Sequence, residues 1–333
     1  MILVQNYTLA VLMCVLAMIC WGSWQNTQNL AGKSWRFELF YWDFILGILL
    51  FSLVMAFTFG SMGTSGRDFI SDLKQATAGN LLSAALGGAI WNLGTLLLVA
   101  AISIAGMSVA FPIGGGIGWI LGIFINYAGS PEGNPWFLFG GSLVIVFAIL
   151  FSMIAYRRLA FTQKKAPFKG IMLSLAAGLL IAFFYRFVAS ALDTEFVPAT
   201  AGKITSYTAV VVFSLGALLS TILFNPYFMM KPVQGSPVRM SDYFKGTRKM
   251  HLYGLLGGAI WCLGNSVSFM AVGSASPAIS YGLSNSAPVV AALWGILVWK
   301  EFRDAPGGTN RLLWLMFACY LIGLSMIVYA RIG

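Results

Sequence analysis

Apolar residues in this chain gather into long, almost unbroken blocks, with neither the alternation of a half-buried strand nor the heptads of a coiled coil. Ten such blocks stand near residues 7–28, 38–60, 79–102, 106–127, 136–156, 168–191, 203–227, 251–272, 276–299 and 311–331. Each has roughly the 20 residues an α-helix needs to cross a bilayer. In lipid the backbone must satisfy its own hydrogen bonds, and a helix does so within one segment. The pattern therefore predicts an all-α polytopic membrane protein of ten transmembrane helices with short connectors. Met1 to Tyr7 holds no basic residue ahead of the first block, and no small-residue cleavage site follows, so a cleaved signal peptide is not expected.

One stretch occurs twice. Leu86-Gly-Gly-Ala-Ile-Trp91-Asn-Leu-Gly94 in the third block returns as Leu256-Gly-Gly-Ala-Ile-Trp261-Cys-Leu-Gly264 in the eighth, with eight of nine positions identical at an offset of 170. Five spans separate the copies, so they cross the membrane in opposite directions. This predicts a five-plus-five inverted repeat: residues 1–157, a short connector at 158–167, and residues 168–333. The glycines themselves suit close helix packing in lipid. The architecture says more, because inverted repeats place a solute site at the midplane between two halves that rock to give alternating access.

Composition narrows the function. Of 333 residues 59% are hydrophobic and 9% charged, against about 25% charged in a soluble domain, so no soluble catalytic domain fits. Twenty basic residues face ten acidic ones, a net charge of +10. In a membrane protein the placement of these charges matters more than their sum, and no nucleic-acid partner is expected. Fifteen of the basic residues fall in connectors 1–2, 5–6, 7–8 and 9–10, including Lys33, Arg36, Lys164, Lys165 and Lys245. Four fall on the other side, at Arg67, Lys74, Lys203 and Arg331, and Arg186 lies within a span. The positive-inside rule then puts the fifteen in the cytoplasm and both termini outside.

Enzyme chemistry finds little support. Cys14, Cys20, Cys262 and Cys319 lie in apolar runs and read as packing residues, and the lone His251, at a helix end, reads as a cap or interfacial residue. No metal site, nucleophilic triad or cofactor is expected from this set. The glycines at 114–118 lack the Lys-Ser/Thr of a phosphate loop, and Gly32-Lys33-Ser34 has Thr27 where that motif needs glycine, so direct ATP coupling is not expected.

Further residues carry a family likeness: Gly264-Asn265 with Phe269-Met270, Pro288-Val289, Trp294-Gly295 and Glu301-Phe302, and in the first half Phe57 to Gly60, Gly106 to Val109 and Asn126-Tyr127. In these motifs and their order the chain resembles the drug/metabolite transporter superfamily, in its ureide permease branch. Bacterial glucose/ribose uptake proteins and the rhamnose-proton symporter are cousins of that branch. The likeness runs through nearly the whole chain. It implies a secondary carrier, proton-coupled, that imports a small uncharged polar solute, with the bacterial inner membrane as the expected location. The chain departs from plant ureide permeases in one respect. Their long cytosolic segment between spans five and six is here only Arg157 to Lys169, thirteen residues, which leaves substrate identity open.

Polar side chains inside apolar helices are costly and so are the default site candidates. Helical spacing puts Trp21, Trp24, Gln25 and Gln28 on one face, pairing aromatic surface with amide groups that suit a sugar ring or a planar ureide. An interfacial tryptophan belt is the alternative. Asn92 and Thr95 in span three, and Asn265 and Ser268 in span eight, lie at similar depth in the two halves; interhelical hydrogen bonding is their other use. Pro112 with the glycines of span four, and Pro288 in span nine, predict kinked or loosely wound helices, with Tyr281, Ser284 and Asn285 facing a cavity. Plain packing kinks are the alternative.

Proton coupling needs a buried ionisable group. Asp43, more than a turn deeper than Glu38, is the first candidate, and a salt bridge to Arg36 or Lys33 is its alternative. Arg186, deep in span six, needs a partner, and Asp193 or Glu195 would supply one as a gate or as a structural pair. The leading reading is proton-coupled uptake of a neutral polar solute, ureide or nucleobase-like or a monosaccharide, by alternating access. Its partners are that solute, protons and membrane lipid, with oligomeric state left open. The alternatives are an exporter of drugs or lipophilic metabolites, motivated by the many Trp, Phe and Met residues, and a non-transporting membrane scaffold.

Overall fold

The computed structural model describes every residue except 33–34, 64, 160–166, 195–198 and 234, and the backbone alone at 107, 108 and 111. Lys33, Lys164, Lys165 and Glu195 therefore lie outside the described residues. Helix α1 (Tyr7–Ser23) runs on into α2 (Gln25–Ala31), followed by α3 (Phe37–Phe57) and a short α4 (Phe69–Gln75). Then come α5 (Ala78–Ala105), α6 (Met107–Gly129), α7 (Pro135–Leu159), α8 (Phe168–Ala191) and α9 (Ser206–Met230). A single turn α10 (Met240–Tyr243) precedes α11 (Arg248–Ala275), α12 (Pro277–Ser284), α13 (Pro288–Leu293) and α14 (Thr309–Tyr329).

Among the described residues, nine helical stretches are long and apolar enough to cross a membrane, with α1 and α2 forming one stretch and Pro277–Val298 another. The chain is an all-α polytopic membrane protein. Helix α6, 23 residues long, stands where the fourth span is expected. Proline does not act alike in the two kinked candidates. Helix α6 passes unbroken through Pro112 in its second turn, whereas span nine breaks after Ser284, restarts at Pro288 and ends in a π-helical turn at Trp294–Val298.

Both termini lie at one end of the bundle. The Met1 amino group donates to the Ser65 carbonyl at 2.7 Å, Tyr7 Oη to the Val328 carbonyl at 2.5 Å, and Asn134 N to the Ala330 carbonyl at 2.6 Å. At the other, basic end, Arg36 donates to the Ser236 carbonyl at 2.8 Å and Arg158 to the Gly307 carbonyl. Helices α9 and α11 are the most enclosed, and α7 and α14 the least.

The two copies of the repeated stretch have equivalent surroundings. Helices α5 and α11 are each 28 residues long. Each is capped by a threonine side chain, Thr77 on Asn80 N and Thr247 on Met250 N, both at 3.4 Å. A Cβ on Gly88 would fall on the carbonyl oxygen of Phe213 in α9, and one on Gly258 on that of Phe44 in α3. Each glycine thus docks its helix against a backbone of the other half of the chain. The crossings bring Trp91 and Trp261 together, with ring centroids 4.1 Å apart.

The helix corners also correspond, at Gly106 (φ 80°, ψ 157°) and Ser276 (φ 78°, ψ 157°). Glycine takes this region freely, but for other residues it costs on the order of 1–3 kcal/mol. The Ser276 hydroxyl recovers little, accepting from Ile279 N at 3.4 Å.

Two outcomes are expected in thermal unfolding of the detergent-solubilised protein. Gly258→Ala forces α11 from α3 and should destabilise by about 1–3 kcal/mol. Ser276→Gly removes backbone strain and loses only a weak cap, so it should stabilise by about 1 kcal/mol.

Candidate functional site

Between α1, α5, α6, α8 and the broken span nine lies a cavity of about 170 Å³. Its roof is aromatic. Trp261 packs against Trp21 (5.8 Å, interplanar 22°), Trp91 (4.1 Å) and Phe213 (5.8 Å, 16°). Two of the five indole donors are already used: Trp21 Nε1 gives its proton to the Trp261 carbonyl at 3.1 Å, and Trp119 Nε1 to the Gly282 carbonyl at 3.0 Å. Trp21 and Trp119 therefore offer a solute their faces. Below the roof the cavity follows α5 from Trp91 to Ile102 toward the basic end, about 16 Å at 1.5 Å per residue. Gln25, Thr95 and Asn285 supply neutral hydrogen-bonding groups on its wall.

Above the roof, on the terminal side, the bundle is shut. Tyr185 Oη meets Ser268 Oγ and Ser280 Oγ, both at 3.0 Å, and Tyr281 Oη donates to the Gly118 carbonyl at 2.8 Å. The cavity is smaller than the roughly 300–1,000 Å³ of drug-sized sites, which suits a solute of few atoms better than a bulky lipophile.

The sequence candidates divide. Trp21, Trp24, Gln25, Thr95, Tyr281 and Asn285 come together on the cavity wall. Gln28, one turn beyond Gln25, is not on it. Asn92 turns away and ties three helices: it accepts from Tyr41 Oη at 2.7 Å and from Thr221 Oγ1 at 3.1 Å, and it donates to Ser220 Oγ at 2.9 Å. Ser268 belongs to the hydroxyl group that closes the terminal side, while Asn265 and Ser284 are fully buried away from the cavity. The offset of 170 makes Thr95, rather than Asn92, the equivalent of Asn265. Trp91, Trp119, Phe184 and Trp261 also line the cavity and are not among the sequence candidates. The repeated stretch contains both Trp91 and Trp261, but the sequence assigns a role there, close packing, only to the glycines.

Asp43 is buried between three elements. Its Oδ2 lies 2.8 Å from His251 Nδ1 at the start of α11, and its Oδ1 accepts from Tyr243 Oη of α10 at 2.5 Å. The alternative bridge to Arg36 does not form, Arg36 being held by its near neighbour Glu38 at 2.7 Å, and Lys33 lies outside the described residues. His251, read from sequence as a cap or interfacial residue, is instead the partner of Asp43. Burial, and then the adjacent carboxylate, push the Tyr243 phenol above its ordinary value, so it stays a donor. Glu38 lines a separate cavity of about 300 Å³ at the basic end, beside Arg36, Leu96 and Phe228.

The ureide permease family matches the chain over residues 40–165 and again over 147–330. The chain belongs to the ureide permease family. Ureide permease 1 of Arabidopsis thaliana is 23% identical over 98% of both chains. The probable ureide permease A3 of Vigna unguiculata is 22% identical over 90% of this chain and 97% of its own. The putative sugar uptake protein YxfA of Lactococcus lactis is 25% identical over 77% of this chain and 89% of its own. A protein of known crystal structure shares the fold, with a TM-score of 0.63 and 15% identity over 98% of this chain and 99% of its own. Its relatives are named permeases, and this ureide permease family member is a transporter and not an enzyme.

The remaining charged candidates of this family member lie at the terminal end. Asp193 does not neutralise Arg186. Helix α8 ends at Ala191 and Leu192 is extended (ψ 140°), so the helical spacing that aligned the two residues stops short of Asp193. Asp193 instead binds Arg67 at 3.1 Å, and Arg67 also binds Asp72 at 2.8 Å. Backbone N–H groups of Thr200 and Thr205 donate to the same two carboxylates. Arg186 packs its guanidinium against Gly129 at the end of α6. Arg67→Gln leaves two buried carboxylates without their cation and should cost about 3 kcal/mol in thermal unfolding, whereas Lys245→Gln, at an exposed pair with Asp242, should cost well under about 1 kcal/mol.

Proposed function

We propose that this chain takes up a small neutral polar solute together with protons, by alternating access around the tryptophan-roofed cavity. The observation that carries the reading is the cavity itself. It lies where the two halves meet, it offers ring faces and neutral amide and hydroxyl groups, and no charged side chain among the described residues lines it. Ring faces and neutral donors and acceptors suit a flat ureide, a nucleobase or a sugar ring. The names of the relatives, ureide permeases and a sugar uptake protein, point the same way.

The excess of Lys and Arg at the basic end supports placing that end in the cytoplasm and both termini outside, in the cytoplasmic membrane of a bacterium. The cavity then reaches toward the cytoplasm. Asp43 is the proton-carrying group of this proposal. It faces His251 from α11 and Tyr243 from α10, so loss or gain of one proton changes how α3, α10 and α11 hold together at the inner end.

The experiment is thermal stabilisation of the purified protein by a panel of allantoin, uracil, glucose and a lipophilic cation. A solute that binds only the folded state stabilises it, by about 2.7 kcal/mol at a hundred times its dissociation constant. A shift with one of the neutral solutes is expected, and a shift with the cation alone would favour the exporter instead. In vesicles, Asp43→Asn should abolish accumulation driven by an inward proton gradient while leaving solute exchange intact. Undiminished gradient-driven accumulation would remove Asp43 from coupling.

A further inference from the structure

The two halves surround the cavity unequally. Helix α5 contributes Thr95, Leu98, Val99 and Ile102 to its wall. The residues 170 positions on, in α11, are Asn265, Ser268, Phe269 and Val272, and none is more than 2% exposed. Helices α5 and α11 share length, threonine cap, glycine crossing and corner geometry. The corresponding face of α11 is therefore the same kind of wall, held shut.

A second, independent observation points to a ligand. Asn265 is fully buried, and among the described residues neither its amide nitrogen nor its amide oxygen has a hydrogen-bond partner. It stands one turn from Trp261 of the roof and one turn from Ser268 of the hydroxyl group, on the face they share. Buried polar groups are nearly always paired, and an unpaired one is a cost that some other state or ligand relieves.

We propose that this face of α11 is a second solute-binding wall, the inverted counterpart of the cavity, opening toward the terminal end when the cavity closes, with Asn265 pairing directly with the solute. The proposal rests on the transport reading above. An asparagine amide presents a donor and an acceptor side by side, as it does to the edge of an adenine. It therefore selects a solute with N–H and C=O on adjacent atoms, the edge of a cyclic amide or urea. Opening separates Tyr185 from Ser268 and frees that hydroxyl as a third contact. The present cavity has one threonine and three aliphatic residues at the same four positions, so the solute is held more tightly from the terminal side than from the basic side.

The test uses the full-length protein in sealed vesicles of known sidedness, with labelled allantoin. Asn265→Thr installs the residue of the other half. It should leave the melting temperature unchanged or raised, increase the KM for entry from the terminal side at least tenfold, and change the KM from the basic side less than twofold. An unchanged KM from the terminal side, or equal loss from both sides, overturns the proposal. A second measurement stands even if that variant folds poorly. Ser268→Cys should react with a membrane-impermeant maleimide from the terminal side, more than the unmodified protein does, and allantoin should slow the reaction. No reaction above the unmodified protein overturns the proposal. If the unmodified protein moves neither allantoin, uracil nor glucose, the transport reading fails and this proposal falls with it. Uptake by the unmodified protein with an unaffected Asn265→Thr variant sinks this proposal alone.

Discussion

Two helix crossings with no room for a side chain hold the centre of this molecule. In lipid, apolar side chains gain nothing by leaving their surroundings, so association depends on close packing. Gly88 and Gly258 provide it by laying α5 on the backbone of α9 and α11 on that of α3. Each crossing joins a helix of one half to a helix of the other. The halves cannot separate without losing both, yet neither crossing ties one half to itself. One turn beyond each glycine the chain places a tryptophan, and the crossings deliver these two rings to one point, 4.1 Å apart. The roof of the cavity follows from this spacing of glycine and tryptophan, made twice.

Charge is kept away from that centre, and its two locations differ in chemistry. At the terminal end Arg67 binds Asp72 and Asp193. A guanidinium does not give up its proton in a protein, and both carboxylates also take backbone N–H groups, so this cluster is a clasp. At the basic end Asp43 meets an imidazole and a phenol, two groups without the permanent charge of a guanidinium. The proton-carrying group proposed here thus lies at one end, and among the described residues no charged side chain lines the cavity. A charged solute would meet no side chain of opposite charge among the described residues of the cavity wall.

Much of this was legible in the sequence, for physical reasons that also mark where legibility stops. Spans follow from length and hydropathy because the bilayer has a fixed thickness. The opposite orientation expected of the two copies rests on the odd number of spans read between them. The facing of individual polar groups does not follow, since helices buried on several sides lack a single polar stripe. Asn92 and Thr95 are three residues apart, equally deep and equally polar, yet one ties α3, α5 and α9 and the other lines the cavity. Asp43 and His251 are 208 residues apart, and nothing local announces their meeting. Arg186 and Asp193 misled in the opposite way, because the helix that would have aligned them ends at Ala191.

The unequal fit of the two halves bears on how such a carrier can work at all. A transporter needs two conformations separated by only a few kcal/mol, so that a small solute can shift their populations. Close glycine crossings and a packed aromatic roof favour one conformation strongly. The half that is shut here carries the opposing costs: a buried asparagine amide without a partner among the described residues, and a serine at a corner whose counterpart is glycine. At the matching positions the open half has Thr95 in place of Asn265 and Gly106 in place of Ser276. Costs placed on the closed side narrow the gap between the two conformations without loosening the crossings that hold the bundle together. An equally well-fitted pair of halves would be more stable and would cycle more slowly.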